Sequence, residues 1–306
     1  MEPLQVIILG SGSSIPTAER NHAAIWIRHG GQVLLWDCGE GTQQQIRRAG
    51  LTPTKIDHIF ITHWHTDHFA GLPGLLQTLK LEQRSRQLFI YGPEAHHYVS
   101  LLQPIFWKET PFNIEVQNID HLNSQESTIL QQENFIVSAI PVKHSIPAAA
   151  YALQEKNRWN IELSLAHRQG LEPGPLLKKL KQKESIHYQG KEINISDIAH
   201  LTPGRKIVYS GDTAPCPAVE KIAAGAHLLI HEATFLKESS EQHSSAEEAA
   251  LTAFKAGVQK LILTHYSRRY DQQDIENMEQ TLAHKYDGLT ISAARDIQEI
   301  SLPGST

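Results

Sequence analysis

The sequence has 306 residues, of which 40% are hydrophobic, and a formal net charge of −5 at pH 7. This length and apolar content permit one large domain or a domain that carries an insertion. The acidic balance excludes a uniformly basic nucleic-acid-binding surface, so any basic surface must be local.

The cysteine content and the N-terminus indicate the compartment. Cys38 and Cys216 are the only cysteines, which is too few for a disulfide framework and fits a reducing environment. The first ten residues lack a basic region and a long apolar run, so they do not resemble a signal peptide. No stretch reaches transmembrane length. We therefore expect a cytoplasmic protein without a membrane segment.

The first half of the chain alternates predicted strands and helices around a histidine-rich loop. Apolar and β-branched runs predict strands, and longer amphipathic runs that end at glycine predict helices. The predicted strands are 6–9, 24–28, 32–36, 56–61, 89–91, 112–118 and 135–140, and the predicted helices are 42–49, 72–81 and 94–102.

The histidine-rich loop follows the predicted strand at 56–61. His63, His65, Asp67 and His68 lie within one short segment. At strand spacing His63 and His65 point the same way, and a following turn brings Asp67 and His68 in from another side. Imidazoles and a carboxylate are ligands for zinc or a similar divalent ion. A polar loop with incidental histidines is the alternative, but the spacing favours an incomplete metal site.

Two glycine-rich turns flank this loop in sequence. The turn at 10–16 offers free backbone N–H groups, but it lacks the pattern of a nucleotide-binding motif. Asp37 closes the strand at 32–36, beside the expected metal loop. We expect Asp37 to support that loop through hydrogen bonds rather than to bind metal directly.

The middle of the chain contains a histidine and then a change in character. His144 follows a strand and lies between Pro141 and Pro147, which suits either a ligand or a structural residue. A strand is predicted at 151–153, and from about 155 the pattern weakens. Gly174 and Pro175 belong to a turn rich in helix breakers. The basic residues that follow are Lys178, Lys179, Lys181 and Lys183. They form either a solvated helix face or part of a projecting insertion.

The core pattern resumes near residue 206. Predicted strands lie at 206–209, 228–230 and 260–263, and a helix at 246–256 is capped by Ser244 or Ser245. Two further short elements are expected after the last strand. The polar residues that follow these strands are Asp212, His231, Glu232, His243 and His265.

A ligand-type residue at the C-terminal end of a strand is the recurring unit of the sequence. It occurs six times, at Asp37, His63, His144, Asp212, His231 and His265. This repetition predicts a single site at one edge of a sheet core.

These motifs together resemble the metallo-β-lactamase superfamily over nearly the whole chain. The resemblance implies an α/β fold, a four-layer αββα sandwich with two metals at one edge. Within the superfamily the sequence looks like the short form of the ribonuclease Z family, which processes the 3′ end of tRNA. The features that carry this choice are the loop at 16–21, the segments at 231–234 and 243–245, and the insertion at Gly174 and Pro175. The first loop departs from the family pattern at Ala18, where the family usually has a lysine that could contact phosphate or tRNA.

The resemblance also implies roles for individual residues. One zinc would take His63, His65 and His144, and a second would take Asp67, His68 and His265, with Asp212 between them. Manganese or cobalt would suit these ligands similarly. Asp67 would also accept a proton from the attacking water, and His243 would protonate the leaving oxygen, unless it is only a surface histidine. His231 and Glu232 would orient neighbouring groups.

The insertion gains a role by the same resemblance. Residues 155–198 would form a flexible arm within a single domain spanning 1–306. Lys178, Lys179, Lys181 and Lys183, with Gly174 and Pro175, would contact precursor tRNA. Members of the family are usually homodimers, so a homodimer is expected.

Two other functions fit parts of the sequence. A superfamily hydrolase of small esters, such as a phosphodiesterase, would have the same metal core, since fold and metal do not determine the substrate. An RNA-binding scaffold with a vestigial site is a second alternative. The complete ligand set argues against the scaffold, and the basic insertion argues for tRNA.

Overall fold

A computed structural model describes residues 4–120, 125–238, 240–300 and 302. The chain forms two compact units, the first comprising Met1–Leu153 with Lys206–Pro303 and the second comprising Gln154–Arg205. In the described ranges, no helix is long and apolar enough to span a membrane.

The bounds of the regular elements are as follows. The strands are β1 (Gln5–Gly10), β2 (Ala24–His29), β3 (Gln32–Trp36), β4 (Ile56–Phe60), β5 (Leu88–Gly92), β6 (Ile114–Asn118), β7 (Ser127–Gln131), β8 (Phe135–Pro141), β9 (Ala149–Glu155), β10 (Arg158–Ile161), β11 (Ser185–Tyr188), β12 (Lys191–Asn194), β13 (Ala199–Thr202), β14 (Lys206–Tyr209), β15 (Leu228–Glu232), β16 (Lys260–Thr264), β17 (Thr290–Ala293) and β18 (Gln298–Ile300). The helices are α1 (Thr42–Arg48), α2 (Thr66–Phe69), α3 (Leu72–Leu81), α4 (Ala95–Phe106), α5 (Leu163–Arg168), α6 (Pro175–Lys183), α7 (Pro217–Ala223), α8 (Ala246–Lys255) and α9 (Gln272–Lys285).

The first unit is built on two seven-stranded sheets. Their strand orders are β18-β1-β2-β3-β4-β5-β6 and β17-β16-β15-β14-β9-β8-β7. In the first sheet β3, β4, β5 and β6 run parallel, and in the second β14 to β17 do so. The carboxyl ends of parallel neighbours meet at one edge of a sheet, and the loops there carry the histidines and aspartates described below.

Alternation along the strands gives this unit its layers. Side chains such as Phe60 and Ile230 belong to an apolar cluster shared by both sheets. Their neighbours Ile59 and Leu229 face outward and pack with helices, Ile59 beside α3 residues and Leu229 beside α8 residues. Because successive strand residues point to opposite faces, the sequence forms an αββα sandwich, the predicted fold class.

The second unit has its own small core. Antiparallel pairs join β10 to β13 and β11 to β12. The buried apolar side chains of this core are Ala166, Leu171, Leu177, Leu180, Ile186, Ile193, Ile195 and Ile198. The unit is therefore held together by its own hydrophobic contacts.

Two local expectations from the sequence were wrong. The run from Gly174 to Leu177 is not wholly a turn, because α6 begins at Pro175 with Gly174 as its N-cap. Proline suits the first helical position, where its missing N–H has no intrahelical partner. The end of the chain also holds more than two short elements, since the 14-residue α9 precedes β17 and β18.

Candidate metal centre

Seven side chains meet in two sets at the edge of the first unit. His63, His65 and His144 form one set, and Asp67, His68, Asp212 and His265 form the other. Within each set the candidate ligand atoms lie within 4.8 Å of one another. The structure therefore brings together all seven side chains that the sequence pointed to as metal ligands.

The first set consists of three imidazoles. The Nδ1 atom of His65 lies 3.1 Å from Nε2 of His63 and 3.1 Å from Nε2 of His144. A tetrahedral zinc ion with bonds of about 2.0 Å would place its ligand atoms about 3.3 Å apart. The spacing of these nitrogens therefore suits ligands of a shared ion.

The second set mixes imidazoles and carboxylates. Nε2 of His265 lies 3.2 Å from Oδ2 of Asp67 and 3.3 Å from Nε2 of His68. Oδ2 of Asp212 lies 3.3 Å from Nε2 of His265 and 3.8 Å from Nε2 of His63, which belongs to the first set. The Asp212 carboxylate thus lies near ligand atoms of both sets.

The loop after β4 produces this arrangement from adjacent residues. His65 has extended backbone angles, and α2 begins immediately after it. The single turn of α2 carries Asp67 and His68, so their side chains leave the backbone in a different direction from those of His63 and His65. One short segment can therefore supply both ligand sets.

Hydrogen bonds fix the outer nitrogens of four of the histidines. Nδ1 of His68 lies 2.7 Å from Oδ2 of Asp37, and Nδ1 of His63 lies 3.1 Å from the Thr62 hydroxyl. Nδ1 of His265 lies 2.8 Å from Oγ1 of Thr234, and Nδ1 of His144 lies 2.9 Å from the Gln242 carbonyl oxygen. Such contacts set ring orientation and tautomer, as is common around metal-binding histidines.

Asp37 supports the loop as the sequence predicted. Its carboxylate accepts hydrogen bonds from the Thr62 backbone N–H at 2.7 Å and from the Tyr209 hydroxyl at 2.9 Å. Asp37 is fully buried and has a positive φ of 57°, which is uncommon for a residue with a side chain. These contacts hold Asp37 against His68 and away from the ligand atoms.

The charge distribution also fits a cation. Asp37, Asp67 and Asp212 are buried, and Oδ1 of Asp212 accepts no hydrogen bond from a described residue. Burial would lower the pKa of His68, but Asp212 and Asp37 raise it well above the ordinary value. Burial instead holds the pKa of His63 well below that value. The donor set is therefore a group of imidazoles beside buried negative charge, which suits divalent ions.

His243 lies beside the centre and is bound to Glu232. Its Nδ1 lies 3.1 Å from Oε1 of Glu232, whose carboxylate also accepts a hydrogen bond from the Thr213 backbone N–H at 2.6 Å. Burial lowers the pKa of His243, but the hydrogen bond and charge of Glu232 outweigh it and raise the pKa to about 9. Nδ1 of His243 is 3.8 Å from Oδ2 of Asp212. An imidazole bound to a carboxylate is thus held next to the ligand sets.

His231 is the predicted residue that the structure does not bring to this cluster. It alternates with Glu232 along β15, and Leu229, on its side of the strand, packs in the cluster that contains α8 residues. Its Nδ1 lies 2.8 Å from the Glu232 carbonyl oxygen, and its ring is buried. At this strand end the carboxylate of Glu232, not the ring of His231, faces the centre.

Sequence reasoning missed Thr234 as a residue of this site. Its hydroxyl donates to Oε2 of Glu232 at 2.6 Å, lies 2.8 Å from Nδ1 of His265 and lies 3.3 Å from Nδ1 of His243. In the sequence Thr234 stands out only as part of a family-like segment. A threonine two residues after a glutamate at the end of a strand is the signal that could have revealed it.

The candidate substrate-binding residues lie in the second unit. Lys178, Lys179, Lys181 and Lys183 are exposed on α6, whose buried residues are Leu177 and Leu180. Gly174 and Pro175, at the start of this helix, are also exposed. This helix therefore presents basic side chains to solvent.

Comparisons with known proteins agree with this geometry. A family model described as "Metallo-beta-lactamase superfamily" matches residues 17–149, and one described as "Beta-lactamase superfamily domain" matches residues 184–266. The class defined by the sandwich and its histidine–aspartate centre is thus the metallo-β-lactamase superfamily.

Curated relatives identify one family within this superfamily. "Ribonuclease Z" of Methanosarcina acetivorans is 37% identical over 98% of this chain and 98% of its own length. "Ribonuclease Z" of Thermococcus sibiricus is 40% identical over 89% of both chains. The crystal structure of human tRNase Z, short form, is 28% identical, with a TM-score of 0.66 over 98% of this chain and 99% of that one. The chain belongs to the ribonuclease Z family.

Proposed function

We propose that this chain is a zinc-dependent endoribonuclease that removes the 3′ trailer from precursor tRNA in the cytoplasm. The products are a tRNA with a 3′-hydroxyl and a trailer with a 5′-phosphate. The observation that carries the proposal is the convergence of seven donor side chains in two sets, with Asp212 near both. Paired ions in such a centre suit in-line displacement at a phosphodiester.

The side chains have different roles around the scissile phosphate. When bound, two divalent cations supply Lewis-acid polarisation of the phosphate and lower the pKa of the attacking water. Asp67 accepts the proton of that water. Its Oδ2 lies 3.2 Å from Nε2 of His265, a spacing that suits two ligands of one ion. The remaining ligands would hold the two ions in place.

His243 protonates the leaving 3′-oxygen. Glu232 holds its Nδ1, and Nε2 hydrogen bonds to no described residue, so this nitrogen is free to donate. Burial lowers the pKa of His243, but Glu232 raises it to about 9, which favours the protonated ring that a general acid requires. A general acid contributes typically about 10²–10⁴-fold to rate.

The second unit binds the tRNA away from the cut. The exposed side chains of Lys178, Lys179, Lys181 and Lys183 supply positive charge for backbone phosphates in an otherwise acidic protein. Binding through such contacts weakens steeply as salt rises. Gly174 and Pro175 set the start of the helix that carries these lysines.

The protein acts as a homodimer. Large apolar side chains are exposed at the C-terminal ends of α3 and α4, where Gln77 donates a hydrogen bond to the Phe106 carbonyl. They are Leu81, Leu101, Ile105 and Phe106, with 79%, 55%, 74% and 44% of their surface exposed. An apolar surface of this kind is suited to burial against a second copy. Sedimentation of Ile105→Glu against the wild type tests this assignment, and an unchanged dimer would reject it.

Cleavage mapping tests the proposed function. The protein is incubated with a 3′-extended precursor tRNA, and the cut position and end groups are determined. We expect one cut just after the discriminator base, with a 3′-hydroxyl and a 5′-phosphate. Cleavage elsewhere, or none in the presence of zinc, would reject the proposal.

A further inference from the structure

A buried ion pair joins the two chain segments that enter and leave the second unit. Glu155 and Arg205 are 2% and 6% exposed. Nε of Arg205 donates to Oε2 of Glu155 at 2.7 Å, and Nη2 donates to Oε1 at 2.7 Å. The backbone N–H of Arg205 also donates to Oε2 at 2.8 Å. The pair is therefore bidentate and tied to the backbone, the strongest geometry for such a contact.

Backbone contacts extend this junction into a two-stranded stalk, which we define as residues 154–161 and 199–205. The Glu155 N–H donates to the Arg205 carbonyl at 2.9 Å, and the Gly204 N–H donates to Oδ1 of Asn157 at 3.1 Å. A Cβ on Gly204 would lie 1.9 Å from the Glu155 carbonyl oxygen, so only glycine allows this approach. The β10–β13 pairing continues the stalk from Arg158.

Stability alone does not explain why a buried ion pair occupies this junction. Removing two charges from water costs several kcal/mol, and apolar residues of similar volume often stabilise a protein as well or better. A bidentate pair with a backbone donor instead allows one alignment of the two segments. A shift of register by one residue would reverse the faces of β10 and β13. The ion pair between Glu155 and Arg205 thus fixes the register of the two stalk segments.

We propose that Glu155 and Arg205 are positioning residues that determine selectivity for precursor tRNA. This inference rests on the proposed function, because it assigns the second unit to tRNA binding. The ion pair fixes the register of the two stalk segments, and stalk residues Trp159 and Ile161 pack in the same apolar cluster as Leu177 and Leu180 of α6. The pair therefore determines how the lysines of α6 are arranged within this unit. A small phosphodiester does not use these contacts, so its hydrolysis is independent of the pair.

Kinetics with two substrates tests the proposal. A Glu155→Gln variant removes the charge and keeps the shape of the side chain. We expect KM for a 3′-extended precursor tRNA to rise about tenfold or more while kcat changes less than about twofold, since misplacement of a binding group weakens association. The kcat/KM for bis(4-nitrophenyl) phosphate should stay at the wild-type value. The control is Glu172→Gln, which removes an exposed carboxylate of the same unit that lies 3.3 Å from His167.

A second variant separates positioning from simple stability. Glu155→Leu with Arg205→Met replaces the pair by apolar side chains and should keep the unit folded, as judged by amide hydrogen exchange of β10 to β13. We expect its KM for precursor tRNA to remain raised despite that protection. A wild-type KM in either variant would overturn the proposal, and so would loss of amide protection in step with the loss of binding in both. Failure of the wild type to cut precursor tRNA would reject the proposed function instead.

Discussion

The metal centre and the second unit use charge in opposite ways. In the centre, all four side chains of the second set are buried, and each histidine of that set has its outer nitrogen fixed by Asp37 or Thr234. On α6, the four lysines are exposed, and none pairs with a described carboxylate. Buried charge is held rigidly for chemistry, whereas solvated charge is available for a flexible polyanion. The two regions should therefore fail differently when they are changed.

Loss of Asp212, the proposed shared ligand, should have the largest effect. We expect Asp212→Ala to lose bound metal and to reduce cleavage of both precursor tRNA and a small phosphodiester. Because Lewis-acid stabilisation is worth several kcal/mol, the reduction should be on the order of a thousandfold or more. Metal analysis and kinetics of the purified variant measure this. The control Asp287→Ala changes an exposed aspartate, and its metal content should equal that of the wild type. Full metal content in Asp212→Ala would contradict the assignment.

Deletion of residues 155–198, which form most of the second unit, should separate the two regions. Removing residues 155–198, with a short glycine linker in their place, should abolish cleavage of precursor tRNA and spare hydrolysis of a small phosphodiester. The reason is that the ligand side chains all belong to the first unit. Rates with both substrates, measured on one preparation, check the separation. Equal loss of both activities would remove the assignment of this unit to tRNA binding.

Loss of the proposed acid should slow the reaction without removing metal. We expect His243→Ala to retain the wild-type metal content and to lose about 10²–10⁴-fold in kcat, the usual range for a general acid. Inductively coupled plasma analysis and single-turnover kinetics give the two quantities. A substrate with a better leaving group should be affected less. Depletion of metal in this variant would show His243 to be a ligand, and the acid role would be wrong.

The pH profile should report the contact between His243 and Glu232. Glu232 raises the pKa of His243 to about 9 despite the opposing effect of burial, and bound cations would lower it. The rate needs protonated His243, so it should fall as pH rises through that pKa, at or below about 9. Glu232→Gln should move this fall to lower pH. If the rate of this variant fell at the same pH as that of the wild type, the fall would not be caused by titration of His243.

The lysines should have the smallest individual effects. Changing Lys178, Lys179, Lys181 and Lys183 together to alanine should weaken tRNA binding and leave kcat unchanged at saturation. The slope of log affinity against log salt should become shallower by about 0.9 for each phosphate that the variant no longer neutralises. Binding at several salt concentrations measures the slope. An unchanged slope would show that these side chains do not bind phosphates.

The sequence predicted the centre better than its surroundings. The segment 63–68, with the pattern HxHxDH, follows a buried strand, and His144 lies between two prolines. Both features indicate ligands, because metal chemistry restricts the types of residue that can occupy such positions. The support that Thr234 and the Gln242 carbonyl give to His265 and His144 comes from other loops, which only the tertiary fold brings near. Such long-range contacts leave little trace in one sequence.

The sequence also did not show which face of the buried strand β15 each side chain occupies. Leu228, Leu229 and Ile230 are all apolar because β15 is covered on both faces, so no alternation shows whether His231 or Glu232 faces the site. In the fold, residues 228 and 230 face the opposite sheet, which places Glu232 at the centre. The start of α6 at Pro175 was not predicted because proline occurs both after the end of helices and at their first position, so the residue alone does not decide between the two.

Metal stoichiometry, combined with reversible loss of activity, tests whether a two-metal centre cleaves RNA. Purified protein is assayed for zinc per chain, stripped with a chelator and then reloaded, with precursor tRNA cleavage measured at each stage. We predict about two zinc ions per chain, loss of cleavage on stripping, and recovery that requires both ions. Full cleavage by stripped protein, or by protein holding a single ion per chain, would rule out a two-metal mechanism.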